Sequence, residues 1–325
     1  MDWLMQIELG FTHFLQNMGS WLEYPMQAFS FLGNELFFLL IMPAIFWSID
    51  AATGFRTAMM LILSAGLNSS FKMMLHSPRP FWVDAQVQAL SSETSFGLPS
   101  GHSQNSAAIW GIIAASAKKK WLTILCVLII FFVGISRVYL GMHFVRDVLG
   151  GWMLGGLLVW GYLKLEAPLA AWLKKQGLGT QLLLSLFLGA FIIGLGVLVK
   201  SLATDFSLPE QWTTLAVAAG AQAPDPYSLE GVLTLGGVGF GFCAGFALYR
   251  HFFGQYVINC NSVKRFLRYL LGLIGIVAFY FGLKLVFPTE PPLADAVFRV
   301  LRYTLIGLWV SLIAPWLFKV LKLDC

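Results

Sequence analysis

Apolar runs of membrane-crossing length recur along the chain, separated by short polar connections. They fall at about 34–49, 55–75, 103–117, 121–140, 145–164, 180–202, 229–249, 266–287 and 296–318, which predicts about nine spans. Each approaches the roughly 20 residues that a bilayer core requires. Residues 3–31 differ: apolar and polar positions are mixed, and Gly19 and Pro25 interrupt them. That texture predicts interfacial helices rather than a span. The fold expected is all-α, a polytopic transmembrane helical bundle. Gly151 with Gly155, and Gly237 with Gly241 and Gly245, place small residues four apart, a spacing that lets helix backbones approach closely in lipid.

Composition agrees with the pattern. Of 325 residues, 58% are hydrophobic and 11% charged, with mean hydropathy +0.75. A soluble domain carries about 25% charge, so lipid must solvate much of this chain. The net charge of +5 is modest and gives no sign of a nucleic-acid partner. Cys126, Cys243, Cys260 and Cys325 are scattered without CxxC spacing and read as free thiols. The start, Met1-Asp2-Trp3, lacks the basic segment of a cleaved signal peptide.

Charge placement predicts orientation. Arg56, Lys118-Lys119-Lys120, Lys174-Lys175, the Arg250 to Arg268 cluster, and Lys319 with Lys322 fall in alternate connections. Asp205, Glu210, Asp225, Glu290 and Asp295 occupy the others. The positive-inside rule puts the N-terminus outside and the C-terminus in the cytoplasm. The expected location is a bacterial inner membrane. A polar stretch near Glu166–Gly179 divides the chain, giving interfacial helices over 1–33, a catalytic core over 34–165, and further spans of unassigned role over 166–325.

The informative residues are the polar exceptions. Lys72 precedes Arg79-Pro80, then come Pro99-Ser100-Gly101-His102, Ser136-Arg137, His143 and Asp147. On the predicted topology, Lys72, Arg79, His102, Arg137 and His143 all reach the outer ends of spans. Burying charge in a membrane is costly, so such clustering needs a cause. Arg79 and Arg137 offer planar forks of donors to phosphate oxygens, and Lys72 a compact positive charge. Ser100 and Gly101 sit at a predicted helix start, whose free N–H groups attract an anion. His143 and Asp147 are four apart, on one helix face. A carboxylate on one ring nitrogen leaves the other free to attack phosphorus. His102 can protonate the leaving oxygen and then activate water. None of these steps requires a metal or a cofactor.

Lys72-x6-Arg79-Pro80, Pro99-Ser100-Gly101-His102 and Ser136-Arg137-x5-His143-x3-Asp147 resemble the three signature motifs of the type 2 phosphatidic acid phosphatase (PAP2) superfamily. The resemblance covers about 30–165. It implies a phosphohistidine on His143, acid–base work by His102, and orientation of His143 by Asp147. It also implies phosphate binding by Lys72, Arg79, Ser100, Gly101, His102 and Arg137. The segment from Gly33-Asn34-Glu35 to Trp47-Ser48-Ile49-Asp50 is similar to sphingosine-1-phosphate-phosphatase-like members.

The function expected is metal-independent hydrolysis of a lipid phosphate or diphosphate at the outer face, with membrane lipids as surroundings. Three rivals are transfer to another lipid or glycan, haloperoxidase chemistry, and lipid transport. Transporters place polar groups near the midplane, which this pattern does not do. Secondary candidates follow. Asn68 shares a helix face with Lys72 and is placed to orient it. Ser136 faces a phosphate oxygen or its own backbone. Glu35 is a surface carboxylate or a partner for a motif cation. His76 reads as interfacial, and Arg146 as a headgroup contact. Arg299 pairs with Asp295 or, with Arg302, meets headgroups.

Overall fold

The computed structural model describes residues 3–117, 119–203, 205–288 and 290–323. Met1, Asp2, Lys118 and Cys325, used above, lie outside the described residues, which form helices joined by loops and contain no strand. Seven helices among them are long and apolar enough to cross a membrane, or eight if a bent pair, Ser20–Phe31 with Glu35–Ile49, counts as one. Two predicted spans account for the difference from nine. The 34–49 run belongs to the bent pair, and the 103–117 run forms a helix of only 16 residues.

The chain divides into two compact units. The first comprises Met1–Phe38, Leu63–Trp160 and Val197–Ser228. It holds α1 (Trp3–Asn17), α2 (Glu23–Phe31), the end of α4 (Ala51–Leu75), α5 (Pro80–Val83), α6 (Gly101–Ser116), α7 (Lys120–Tyr139), most of α8 (Val145–Leu173), the last residues of α9 (Leu178–Leu202), and α10 (Glu210–Ala218). Between α2 and α4 lies α3 (Glu35–Ala44). Gly19, at φ +112°, does break the first segment. Pro25 does not: it lies in the first turn of α2, where a missing N–H interrupts nothing. Ser100 caps α6, its hydroxyl accepting the Ser103 N–H at 3.4 Å. Helix α8 lies hard against α6. A Cβ on Gly151 would stand 2.6 Å from the Ser100 carbonyl oxygen, and one on Gly155 2.5 Å from that of Gln104. Phe81, Trp82, Phe96, Tyr139, Met142 and Phe144 form the core beside the motifs.

The second unit comprises Leu39–Ile62, Gly161–Gly196 and Leu229–Cys325. Its main pairing sets α11 (Glu230–Phe253) against α14 (Pro292–Leu308). Gly237 and Gly241 meet Val300 and Thr304 there, and Gly245 meets Ser311 just past the end of α14, as their spacing predicts. Helix α12 (Ser262–Val277) carries Arg268, which is fully buried. Its Nε donates to the Leu323 carbonyl at 2.9 Å, so Arg268 is a structural tie and not a loop charge. Cys126 and Cys243 are free thiols. Cys260 is disulfide-bonded, which corrects the expectation of free thiols at that position.

Candidate active site

The first motif begins in the last turn of α4, where Lys72 points its Nζ at the Phe96 carbonyl (2.6 Å) and the Ser95 hydroxyl (3.2 Å). The chain then leaves the helix through a proline-bounded stretch, and Arg79 is held extended just before α5. Prolines on both sides of Arg79 favour that extended conformation. Its guanidinium is wholly buried. Nε donates to the Ser95 carbonyl (2.6 Å), Nη1 to the Met142 carbonyl (2.9 Å), and Nη2 to the Ser95 hydroxyl (3.1 Å) and the Phe96 carbonyl (3.2 Å). Lys72 and Arg79 thus share the 95–96 backbone as a template.

The second and third motifs meet through main chain. The Ser100 N–H donates to the Asp147 carbonyl at 2.9 Å. The Ser100 hydroxyl is engaged in capping α6, while Gly101 leaves room for the Asn68 amide oxygen, which a Cβ would meet at 3.0 Å. His143 sits in the short turn between α7 and α8, its own N–H and that of Met142 both donating to the Arg137 carbonyl. That bifurcated acceptor ties the nucleophile candidate to Arg137 through the backbone. His143 Nδ1 faces Asp147 Oδ2 at 3.4 Å, and Asp147 Oδ2 accepts the Phe144 N–H at 2.9 Å. His143 Nε2 lies 3.3 Å from Arg79 Nη1. Burial, then Arg79, Lys72 and Arg137, holds the His143 pKa well below its ordinary 6.5, so the imidazole stays neutral.

One carboxylate in this cluster has no counterpart in the sequence expectations. Glu93 Oε1 lies 3.1 Å from Arg137 Nη2 and 3.7 Å from His102 Nδ1, and its Oε2 lies 3.7 Å from Arg79 Nη2. Burial pushes the Glu93 pKa up, but Arg79 and Arg137 outweigh it and hold the carboxyl down at about 2. It is therefore ionised between the two guanidinium groups. In the sequence Glu93 is an acidic residue in a polar loop, nine positions before His102, and no spacing rule distinguishes it from a solvated charge.

The structure brings Lys72, Arg79, His102, Arg137, His143 and Asp147 together and redirects several secondary candidates. Asn68 bonds the Pro99 carbonyl (3.2 Å) and Gln104 (2.8 Å), so it supports the second motif and not Lys72. Ser136 donates to the Val133 carbonyl at 2.6 Å, taking up its own helix backbone. Arg146 pairs with Glu8 of α1 at 3.3 Å instead of reaching outward. His76 stacks on Phe206, with ring centroids 4.4 Å apart. Glu35 stays exposed and makes no ion pair among the described residues. In the second unit, Arg299 pairs with Glu230 (3.0 Å) and Asp295 (3.5 Å), while buried Arg302 lies between the rings of Tyr280 and Tyr303.

Comparison with known proteins matches two stretches of the chain. The PAP2 superfamily matches residues 53–170, which contain every motif position. A second family, the PAP2 superfamily phosphatase transmembrane extension, matches residues 233–325, the part to which the sequence reading assigned no motif. Phosphatidylglycerophosphatase B of Bacillus subtilis is 36% identical over 151 residues, covering 42% of this chain and 72% of that protein. Glucose-6-phosphatase 3 of Homo sapiens is 31% identical over 226 residues, covering 61% of this chain and 64% of the relative's length. A crystal structure of a transmembrane PAP2-type phosphatidylglycerolphosphate phosphatase from Bacillus subtilis is 30% identical, with a TM-score of 0.45, covering 51% of this chain and 87% of that one.

Proposed function

The chain belongs to the PAP2 superfamily, and from that premise we propose that it is an integral membrane phosphatase acting on lipid phosphomonoesters or diphosphates through a phosphohistidine. The observation that carries the proposal is the position of His143 Nε2, 3.3 Å from the Arg79 guanidinium. An oxygen of a bound phosphoryl group held by Arg79 brings its phosphorus within reach of that nitrogen. His143 Nε2 attacks phosphorus, and the bond to the leaving oxygen breaks as His102 supplies its proton. Water then attacks the phosphohistidine, giving up a proton to His102, and inorganic phosphate leaves. Lys72, Arg79 and Arg137 stabilise the charge that builds on the non-bridging oxygens. Asp147 Oδ2 faces Nδ1 of His143 at 3.4 Å, and a carboxylate on that side leaves Nε2 as the nucleophile.

A membrane site and the similarity to phosphatidylglycerophosphatase B support a lipid substrate. Similarity to glucose-6-phosphatase 3 extends over a longer stretch, 226 residues against 151, and supports a second reading in which the leaving group is a sugar. Charge alternation between connections supports an outward-facing site. The disulfide at Cys260 opposes that orientation, because cytosolic thiols are kept reduced. Labelling of single introduced cysteines in successive connections decides between the two signals.

The direct test is phosphate release by the purified protein from a panel of phosphatidic acid, phosphatidylglycerol phosphate, undecaprenyl diphosphate, a sphingoid phosphate and glucose 6-phosphate. His143→Ala abolishes release while leaving the protein folded. Turnover by that variant at the wild-type rate defeats the nucleophile assignment. A phosphorylated lipid or glycan formed in place of inorganic phosphate identifies a transferase.

A further inference from the structure

Glu93 stands against the two guanidinium groups to which the proposed function assigns the substrate phosphate. Its two oxygens lie against Arg137 at 3.1 Å and Arg79 at 3.7 Å, the two forks assigned to phosphate oxygens. Two anions cannot share those donors at full strength, so an arriving phosphoryl group displaces the carboxylate from the guanidinium groups. The third neighbour of Glu93 decides where it goes. The same Oε1 that meets Arg137 is already 3.7 Å from His102 Nδ1. A shift of less than about 1 Å would bring that contact to hydrogen-bond length.

We propose that Glu93 is a positioning residue for His102: phosphate binding hands its carboxylate over from Arg79 and Arg137 to His102 Nδ1, arming the imidazole as general acid only when substrate is present. The inference rests on the acid role given to His102 above. In the free enzyme the carboxylate neutralises the guanidinium pair. In the complex it accepts the Nδ1–H of His102, which favours the doubly protonated ring. Nε2–H then points away from Glu93 and gives its proton to the leaving oxygen. The Nδ1 proton never leaves the ring, so the neutral imidazole that remains can take a proton at Nε2 from the attacking water. The depressed pKa of Glu93 is consistent with a carboxylate that stays ionised throughout, first against arginine and then against histidine. Water access fits the same assignment, since the His102 side chain is 15% exposed whereas His143 and Asp147 are sealed.

The experiment compares leaving groups. An alkyl phosphate releases a poor leaving group that needs protonation, and p-nitrophenyl phosphate releases a good one that does not. Glu93→Gln should lower kcat/KM, which reports only the steps up to phosphoryl transfer to His143, about tenfold or more for the alkyl ester while changing that for p-nitrophenyl phosphate little. It should also tighten competitive inhibition by inorganic phosphate, because a resident competitor has been removed. His102→Ala should show the same leaving-group dependence, with a larger loss. Equal losses of kcat/KM on both esters in Glu93→Gln, or weaker binding of inorganic phosphate, would mean that Glu93 only organises the arginines and would overturn the inference. If His102→Ala itself lacks leaving-group dependence, the acid assignment fails and the inference with it.

Discussion

Glu8 accepts the backbone N–H of Arg146 at 2.7 Å, a bond that spans 138 positions of sequence. Arg146 is in the first turn of α8, between His143 and Asp147, so the carboxylate satisfies a helix donor that the helix itself cannot. It also complements the helix dipole there. Glu8 Oε2 and Arg146 Nε add an ion pair at 3.3 Å. Further stitches run from the same helix. His13 meets Asp84 at 2.9 Å, and Gln16 bonds the Gln88 and Tyr139 carbonyls, both at 2.9 Å. The N-terminal helix therefore braces the loops that follow the first motif and flank the third. Trp3, Ile7, Phe11 and Phe14 on the same helix are exposed.

Glu8→Ala should consequently cost about 1–3 kcal/mol, the usual cost of leaving buried polar groups without a partner. Its effect on turnover should exceed its effect on KM, because it loosens the turn that carries His143 and leaves the phosphate donors in place. Thermal unfolding in detergent and steady-state phosphate release measure the two effects. A variant that unfolds earlier but keeps wild-type kcat argues that the brace has no bearing on catalysis.

Arg79 makes one interaction that lysine cannot reproduce. Its planar fork reaches the Ser95, Phe96 and Met142 carbonyls at once. A lysine ammonium is a compact charge without that geometry. Arg79→Lys should lower kcat/KM by about 10²–10³, the scale for losing a transition-state donor. Arg137 has fewer ties, to Ser30 (2.7 Å) and Glu93 (3.1 Å). Arg137→Lys should do less harm, and the reverse order of the two losses would contradict this account.

The site was legible where charge had to justify its presence in an apolar chain. Lys72, Arg79, His102, Arg137 and His143 stood out because each is expensive at a span end, and Asp147 because it lies four residues from His143; the six lie together in the structure. Helix contacts were legible too, since Gly151, Gly155 and the glycines of α11 can pack only where backbones touch. Glu93, Glu8 and Gln16 were not legible. Their partners lie 44, 138 and 123 residues away, and a polar residue in a polar segment carries no sign of such a partner. Pro25 misled because a proline reads as a break unless the helix start is known. Arg268 misled because a buried arginine bonded to carbonyls has the same sequence signature as a cytoplasmic surface charge.

Packing of α11 on α14 gives a third prediction. A Cβ on Gly241 would overlap the Thr304 backbone, and backbone cannot rotate away as a side chain can. Gly241→Leu should destabilise the second unit by at least about 1–3 kcal/mol, the cost of overpacking a filled site. Gly156 lies in a helix with nothing within 4 Å of the corresponding position, so Gly156→Leu should be tolerated. Yields of folded protein on gel filtration compare the two, and equal yields would remove the packing argument.

The last prediction concerns acid. Glu93 has an ordinary pKa of 4.5 when unfolded and about 2 when folded. A depressed carboxyl contributes stability that is fully present above 4.5 and is lost as pH falls from there towards 2. His143 also has a folded pKa below its unfolded 6.5. Below 6.5 the unfolded chain takes up a proton there that the folded protein resists, so stability again declines as pH falls. The two residues therefore tilt the stability curve in the same direction, the histidine from 6.5 downwards and the carboxylate from 4.5 downwards, and the two effects add below 4.5. Unfolding midpoints measured in detergent between about pH 3 and 8 should drop below 6.5 for the wild type, and more steeply below 4.5. Glu93→Gln should make the decline below 4.5 shallower and keep the decline between 6.5 and 4.5. His143→Ala should make the decline shallower from 6.5 downwards without abolishing it, because His102, held down to about 3 by burial and Arg137, contributes over the same range. If Glu93→Gln unfolds with the same acid dependence as the wild type, then the carboxylate is not held ionised between Arg79 and Arg137, and the site is wired differently from the geometry described above.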